Sequence, residues 1–275
     1  MLIGLTTTNL LSLRLHEVIR LAAQTGFDGV ELACCTPHFT RAHAERDFEA
    51  VGDMLKDAGL KLVALHVVTN LTDQYTVDEE VAMASDFIRV ARRVGTDCMV
   101  ITAGRPASLK AMPDKWHNCI TGLRALAADA DRRGVRLLLS IQRGTLADSV
   151  ASVSRLLDQL GGESIGIALD IGQVLAAGGD VKAFAEFFMP RIALVRVQDF
   201  APGGPEEEWL PLGEGQGDFG PFLAFLRASG YDGPLCLACR HLAHEVDLQP
   251  HVERELLALR RLLQAGERVP AEMDV

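Results

Sequence analysis

The feature that most constrains the fold of this chain is a regular alternation of short apolar runs with longer amphipathic segments. The apolar runs are Leu2–Leu5, Gly29–Leu32, Lys61–Val67, Cys98–Ile101, Arg136–Leu139, Gly166–Leu169, Ile192–Val197 and Pro234–Leu237. The amphipathic segments are Leu15–Thr25, Asp47–Ala58, Asp78–Val94, His117–Arg133, Leu146–Leu160, Asp180–Phe188, Phe219–Ala228 and Pro250–Ala265. Near-continuous apolar strands that alternate with helices are typical of a parallel sheet buried on both faces.

The number of repeats indicates how such a sheet is arranged. Eight strand–helix units within 275 residues predict closure into an α/β fold of the (β/α)8 TIM barrel type. The alternative, a doubly wound open sheet, is less favoured because no glycine-rich dinucleotide fingerprint follows the first run. No linker or low-complexity tract interrupts the chain. We therefore expect one domain over residues 1–275, with residues 266–275 as a loosely held tail.

Glycines mark where the predicted helices end. Five of them follow helical segments at the distance expected of C-terminal caps: Gly26, Gly59, Gly95, Gly134 and Gly230. The next strand follows closely in several cases, which predicts short loops at one end of the barrel. The loops that follow the strands are longer, and the longest runs from Asp199 to about Gly217. Functional groups of such barrels lie on these longer loops and at the strand ends that carry them.

Charge and cysteine usage narrow the classes of partner. The formal net charge is −10, and an acidic surface disfavours nucleic acids and anionic membranes, which need a basic face. No apolar run is long enough to span a bilayer, and the N-terminus lacks the basic start of a signal peptide. The six cysteines do not form a zinc-site pattern, because the Cys236–Cys239 pair has no second pair to complete it. We expect reduced thiols and a cytoplasmic protein.

Several motifs resemble those of the xylose isomerase-like barrels, the sugar phosphate isomerase/epimerase superfamily. The segments that carry the resemblance are Gly26–Leu32, Gly134–Leu139, Ile167–Gly172, Ile192–Asp199, Leu212–Gly215 and Gly230–Leu235. They span nearly the whole chain and keep the order and spacing of the family. The resemblance therefore implies a xylose isomerase-like TIM barrel.

The resemblance also implies a metal site, and this chain departs from it. Members of the family that isomerise or epimerise sugars hold one divalent metal with Glu, Asp, His and Glu at the ends of strands five to eight. Both glutamates also move protons. The matching positions here are Ser140, Asp170, Arg196 and Ala238, and a histidine that often follows the aspartate is Gln173. Serine is a poor neutral ligand, alanine is none, and arginine is always positively charged, so we predict no divalent metal and no other cofactor.

Polar residues remain at the predicted strand ends. We predict catalytic roles for His66, Asp170 and Glu31, and substrate-binding roles for Arg196, Arg240, Gln142, Gln198 and Trp209. Several of these residues have a structural alternative. Glu31 is equally consistent with a buried acid bonded to a neighbouring strand, and His66 with a hydrogen-bonded core residue. Arg240 is consistent with a solvated loop arginine, and Trp209 with a lid that covers no ligand.

Two local arrangements are expected around these residues. Arg196 and Asp170 belong to positions that normally converge on one ion, so we predict that they are direct neighbours and that the guanidinium neutralises the carboxylate. The glycine-rich segment Gly213–Gly217 precedes a helix, and its backbone N–H groups are candidates for binding a phosphate or carboxylate.

The preferred hypothesis is a metal-independent isomerase or epimerase that acts on a small sugar, polyol or cyclic acid by proton transfer next to a carbonyl. A dehydratase or lyase on the same scaffold is one alternative. A second is a non-catalytic barrel that binds a small ligand or a partner protein, and a third is a relocated metal site formed by Glu31, His66 and Asp170. A small polar or anionic substrate is expected, and a homo-oligomer remains open.

Overall fold

The architecture is a closed barrel of parallel strands surrounded by helices. A computed structural model describes residues 1–161, 165–203, 206–243, 245 and 247–265, with side chains described at all of these except 203 and 206–208. The barrel strands are β1 (Ile3–Thr6), β2 (Gly29–Ala33), β3 (Lys61–Val67), β4 (Cys98–Ile101), β5 (Arg136–Ser140), β6 (Ile165–Asp170), β7 (Ile192–Val197) and β10 (Leu235–Leu237). They pair in the closed order β1-β10-β7-β6-β5-β4-β3-β2. The predicted (β/α)8 barrel is confirmed.

Helices cover the outside of the barrel. Their bounds are α1 (Leu15–Thr25), α2 (Arg41–Arg46), α3 (Phe48–Asp57), α4 (Val77–Val94), α5 (Pro113–Arg133), α6 (Val150–Leu160), α7 (Ile171–Ala176), α8 (Val181–Phe188), α9 (Phe219–Ala228) and α10 (Leu248–Ala265). The apolar stripe of each long helix packs on the outer face of the sheet, where it forms the main core. Among the described residues, no helix is long and apolar enough to cross a membrane.

The predicted helix exits are confirmed at all five glycines. Gly26, Gly59, Gly95, Gly134 and Gly230 have φ angles between 63° and 119°. This left-handed conformation strains any residue that carries a Cβ atom, so glycine is the natural choice at these turns. After each of these turns, the chain reaches the N-terminal end of the barrel within a few residues.

Two short helices and one β-hairpin were not predicted from the sequence. Helices α2 and α7 are six residues each, too short to display a helical period. The loop after β7 contains an antiparallel hairpin of β8 (Asp199–Gly203) and β9 (Glu206–Leu210), which carries Trp209. The predicted tail at 266–275 lies outside the described residues.

The interior of the barrel is a packed apolar layer. It consists of Ala64, Cys98, Val100, Leu138, Ala168, Leu194 and Cys236, which form a cluster separate from the outer core. All six cysteines of the chain are free thiols, and burial raises the pKa of Cys98 to about 12. This layer closes the barrel from below and forms the floor of the site.

Candidate functional site

A polar cavity lies directly above the apolar layer at the carboxyl ends of the strands. Successive side chains of a strand point to opposite faces, so the residue two positions beyond an inward-facing one also points inward. Ala64, Leu138, Ala168, Leu194 and Cys236 are therefore followed inside the barrel by His66, Ser140, Asp170, Arg196 and Ala238. The cavity is lined by Thr6, Thr8, Asn9, His66, Val68, Ser140, Gln142, Asp170, Gln173, Arg196, Gln198, Ala238 and Arg240.

The size of the cavity limits what it holds. Its volume is about 170 Å³, which is below the roughly 300–1,000 Å³ of pockets for drug-sized ligands. The space matches a small molecule. Its lining is dominated by groups that form hydrogen bonds, so a polyhydroxy compound matches it better than an apolar one.

Arg196 is held by a fully buried carboxylate on the far side of the barrel. Its Nε donates to Glu31 Oε2 at 2.9 Å, and its Nη2 donates to Glu31 Oε1. Its Nη1 donates to Ser140 Oγ at 2.8 Å, and Thr6 Oγ1 donates to Glu31 Oε2 at 2.7 Å. A fork-shaped pair of this kind fixes both groups in position.

The prediction that Arg196 pairs with Asp170 is wrong, because Arg196 pairs with a different carboxylate. The two residues are opposite each other in the register of β6 and β7, as predicted. Among the described residues, however, the ion pair of Arg196 goes to Glu31. Asp170 Oδ1 instead accepts from Gln198 Nε2 at 2.6 Å and from the backbone N–H of Gln173 at 3.1 Å.

The catalytic role predicted for Glu31 is disfavoured by the same contacts. Burial alone would raise the pKa of Glu31, but the charge and hydrogen bonds of Arg196 lower it to about 2. Glu31 lies beneath the cavity, and its side chain is completely shielded from solvent. It acts as the counterion of Arg196, which corresponds to the structural alternative considered for it.

His66 is buried in the cavity wall without a hydrogen-bond partner. Within the described part of the chain, neither Nδ1 nor Nε2 forms a hydrogen bond. The nearest carboxylate oxygen, Glu31 Oε1, is 3.9 Å from Nδ1, beyond hydrogen-bonding distance. Burial, together with the positive charge of Arg196, lowers the pKa of His66 to about 3. The imidazole is therefore neutral at physiological pH, and the described residues use neither its donor nor its acceptor.

Asp170 is the second ionisable group of the cavity wall. Burial raises its pKa, and the charge of Arg196 and the hydrogen bond from Gln198 partly oppose that effect. The hydrogen bonds that it accepts from other described residues both go to Oδ1. Oδ2 is thus the oxygen left for a ligand, on a carboxylate that is more basic than usual.

Arg240 lines the cavity and contacts Trp209, which is not itself among the lining residues. The guanidinium of Arg240 lies 4.6 Å from the ring centroid of Trp209, an arrangement that favours a cation–π contact. Trp209 packs edge-on against Phe200 at 5.4 Å. Gln142 lines the cavity from the loop after β5. Arg240 is exposed, so it is available to a group that enters from solvent.

The expected anion site in the segment Gly213–Gly217 is wrong, because the protein supplies its own anion. The N–H groups of Gly213 and Gly215 both donate to Asp199 Oδ2 at 2.9 Å. The N–H of Gly217 donates to Asp199 Oδ1 at 3.0 Å. These donors hold the loop closed around an internal carboxylate, which leaves no place for a phosphate.

The residues of this cavity do not fit the divalent metal that members of the family hold. The described residues contain no group of three or more His, Cys, Asp or Glu side chains that could hold a metal ion. The relocated site proposed from Glu31, His66 and Asp170 is therefore not formed. At the family positions, Ser140 accepts from Arg196, Ala238 has no donor atom, and Arg196 brings a positive charge. A dication would be repelled there.

Four cavity residues were not singled out from the sequence. They are Thr6, Thr8, Asn9 and Val68. Thr6 follows from the period of two along β1, since Gly4 two residues earlier faces the Cys236 thiol of the barrel interior. Thr8 and Asn9 lie in a short 3₁₀ turn after β1, and no sequence pattern identifies such a turn.

Comparison with known proteins agrees with this architecture. Residues 19–262 match the family model described as xylose isomerase-like TIM barrel. An inosose dehydratase of Lacticaseibacillus casei is 24% identical over 135 residues, which cover 44% of this chain and only 45% of that enzyme. The L-ribulose-5-phosphate 3-epimerase UlaE of Salmonella paratyphi C is 24% identical, over 79% of each chain.

Solved structures show the same fold. A D-tagatose 3-epimerase-like protein superposes with a TM-score of 0.82 at 20% identity, covering 97% of this chain and 98% of the other. At that identity the likeness establishes the fold alone. Because the family model matches most of the chain, the protein belongs to the xylose isomerase-like TIM barrel family.

Proposed function

We propose that this protein is a metal-independent isomerase or epimerase that moves a proton next to the carbonyl of a small polyhydroxy molecule. One observation carries the proposal. A buried, neutral and unpartnered imidazole and a carboxylate of raised pKa line the same small polar cavity, on β3 and β6. Perturbed ionisable groups that converge in a cleft are typical of catalytic sites.

Asp170 is assigned the role of base. Its Oδ1 is held by Gln198 and Gln173, so the carboxylate is fixed in position while Oδ2 is left for the substrate. Its raised pKa makes it a better proton acceptor than an exposed aspartate.

His66 is assigned the role of a neutral hydrogen-bond donor to the substrate oxygen. A pKa of about 3 makes it a weak base, so it is less suited than Asp170 to remove a proton from carbon. A neutral imidazole still donates through one nitrogen, and such a donor stabilises the negative charge that develops on an enolate oxygen.

Arg196 supplies the positive charge that a metal would otherwise bring. Its pKa is raised, because the charge and hydrogen bonds of Glu31 outweigh the opposing effect of burial. Three of its N–H groups are used by Glu31 and Ser140. A guanidinium has five, so two remain for a substrate oxygen.

The chemical step is a proton shift within an α-hydroxy carbonyl compound. Asp170 takes the proton from the carbon that bears the hydroxyl, and the electron pair of that C–H bond forms an enediolate. Arg196 and His66 stabilise its oxygens. A proton then moves between the two oxygens, and Asp170 returns its own proton to the neighbouring carbon. No oxidant or reductant is consumed, and a single base is sufficient for this isomerisation. An epimerisation returns the proton to the opposite face of the same carbon and needs a second proton carrier.

A dehydratase is the second candidate, and the similarity to an inosose dehydratase favours it. The first step is the same, since a proton next to the carbonyl is removed. The enolate then expels a hydroxyl group from the next carbon, and this group leaves as water with the proton that Asp170 had taken up. Cytoplasmic location, lack of nucleic-acid binding and a homo-oligomeric state stay predictions.

The proposal is tested by following hydrogen exchange at carbon in D₂O with proton NMR, using five- and six-carbon ketoses and inosose. We expect deuterium at the position next to the carbonyl in at least one of them, with isomer or dehydrated product distinguishing the two candidates. Asp170→Asn should reduce the exchange by about 10²–10⁴-fold while the protein stays folded. Asp158→Asn, which changes an exposed aspartate on α6, is the matched control.

Two results contradict the proposal. Exchange that persists in Asp170→Asn means that another group is the base. Binding of these compounds without exchange identifies a barrel that binds ligands and does not catalyse.

A further inference from the structure

The side-chain amide of Gln198, a residue of the cavity lining, has one unused acceptor. Gln198 is buried and lines the cavity. Its Nε2 donates to Asp170 Oδ1 at 2.6 Å. Its Oε1 is buried, and no described residue donates a hydrogen bond to it.

The orientation of this amide follows from its neighbour. An ionised carboxylate only accepts hydrogen bonds, so the NH₂ end of Gln198 must face Asp170 and the oxygen must face away from it. Whenever Asp170 is poised to act as a base, the oxygen is therefore the end of the Gln198 amide that is left for another donor.

Gln198 is also held in place by close packing. A Cβ atom added at Gly172 would lie 2.5 Å from Gln198 Cγ and 2.8 Å from the Trp209 ring. The absence of a side chain at Gly172 thus lets the glutamine and the tryptophan pack against helix α7. A side chain confined in this way is pre-organised, and little entropy is lost when it binds a ligand.

We infer that Gln198 selects substrates that carry a hydroxyl on the carbon from which Asp170 removes the proton. A buried acceptor is satisfied only by a donor, and a hydroxyl is the donor that polyhydroxy carbonyl compounds offer. A carbonyl, carboxylate or phosphate oxygen in the same place would face the amide oxygen without a proton between them. The inference rests on the proposed function. It narrows the substrate class to α-hydroxy ketones in which the group that contacts Gln198 is an uncharged hydroxyl.

The test compares binding of three probes by calorimetry: L-ribulose, 1-deoxy-L-ribulose and 3-deoxy-L-ribulose. We expect at least one deoxy analogue to bind about 10- to 100-fold more weakly than L-ribulose to the unmodified protein, as the loss of one buried hydrogen bond implies. Gln198→Met keeps the length of the side chain without an amide oxygen. It should bind all three probes within about 3-fold of one another.

Two further variants complete the design. Gln159→Met makes the same chemical change on the exposed face of α6 and should keep the discrimination of the unmodified protein. Gly172→Ala displaces the glutamine without removing it and should reduce the discrimination. It serves as the second test if Gln198→Met does not fold.

The inference is overturned if L-ribulose does not bind, if the unmodified protein binds all three probes equally, or if Gln198→Met still discriminates. Hydrogen exchange measured in the same samples separates this outcome from failure of the proposed function. Discrimination that depends on Gln198 without any exchange supports the recognition role and contradicts the catalytic one.

Discussion

Arg196 and Glu31 form a buried ion pair across the interior of the barrel, with two strands between those that carry them. Arg196 lies on β7 and Glu31 on β2, and β10 and β1 separate these strands in the barrel order. The pair links two sides of the barrel just above its apolar floor. Both side chains are almost completely removed from solvent, so neither charge is hydrated.

Removing one member of this pair should be costly. Arg196→Met leaves the Glu31 carboxylate buried and without a partner, and we expect the free energy of unfolding to fall by about 3–5 kcal/mol. Glu31→Gln combined with Arg196→Met removes both charges and should recover much of that loss. Urea denaturation of the single and double variants measures the coupling. Equal stability of Arg196→Met and the double variant would show that the two charges are not coupled.

The buried imidazole of His66 should make the protein sensitive to acid. Its pKa falls from 6.5 to about 3 in the folded state, so the unfolded chain binds a proton that the folded protein does not. The resulting stability is complete above pH 6.5 and is lost as the pH falls toward 3, by up to about 1.4 kcal/mol per pH unit. His66→Gln should flatten the curve in this range.

The comparison is cleanest between pH 6.5 and 4.5. Glu31, whose pKa falls from 4.5 to about 2, loses its own contribution only below that range. Asp170 has a raised pKa and therefore changes stability in the opposite sense, but it does so in both proteins. His16→Gln, a change at an exposed histidine of α1, is the control. Identical slopes for His66→Gln and the unmodified protein would mean that His66 titrates normally.

The strands and the inward-facing positions were predictable, since both depend on local periodicity. Apolar runs located β3 and β7 at the residues observed. A period of two then places His66 and Arg196 on the inner face without knowledge of the tertiary structure. The fold and most of the cavity lining follow from these two rules.

The partner of each inward side chain was not predictable. Arg196 is adjacent to Asp170 in the strand register, yet its guanidinium reaches Glu31. That choice depends on how the strands are staggered around the barrel, which a linear sequence does not contain. The role of Asp199 was not predictable for the same reason, because the N–H groups that donate to its carboxylate lie 14 to 18 residues further along the chain.

Asp199 should control the closed form of the loop that follows β9. Its carboxylate accepts from the N–H groups of Gly213, Gly215 and Gly217. Asparagine has one acceptor oxygen and would turn an NH₂ group toward some of these donors. We expect Asp199→Asn to reduce the free energy of unfolding by about 3 kcal/mol. Amide hydrogen exchange should show faster exchange at the three glycines, whereas Asp218→Asn, at an exposed aspartate, should not. Unchanged protection in Asp199→Asn would contradict this role.

Activity should not depend on a divalent metal. Ser140 Oγ accepts from Arg196, Ala238 supplies no donor atom, and the guanidinium repels a dication at the position where the family holds one. We expect EDTA to leave proton exchange unchanged, and elemental analysis after mild dialysis to find far less than one Mn, Mg, Co or Zn per chain. A variant that combines Ser140→Glu, Arg196→His and Ala238→Glu restores the family's ligand types beside Asp170 and is the positive control for metal uptake. About one metal per unmodified chain, with exchange lost on chelation and restored by the ion, would show instead that the cavity recruits a cation despite Arg196, and the role assigned to that guanidinium would have to be abandoned.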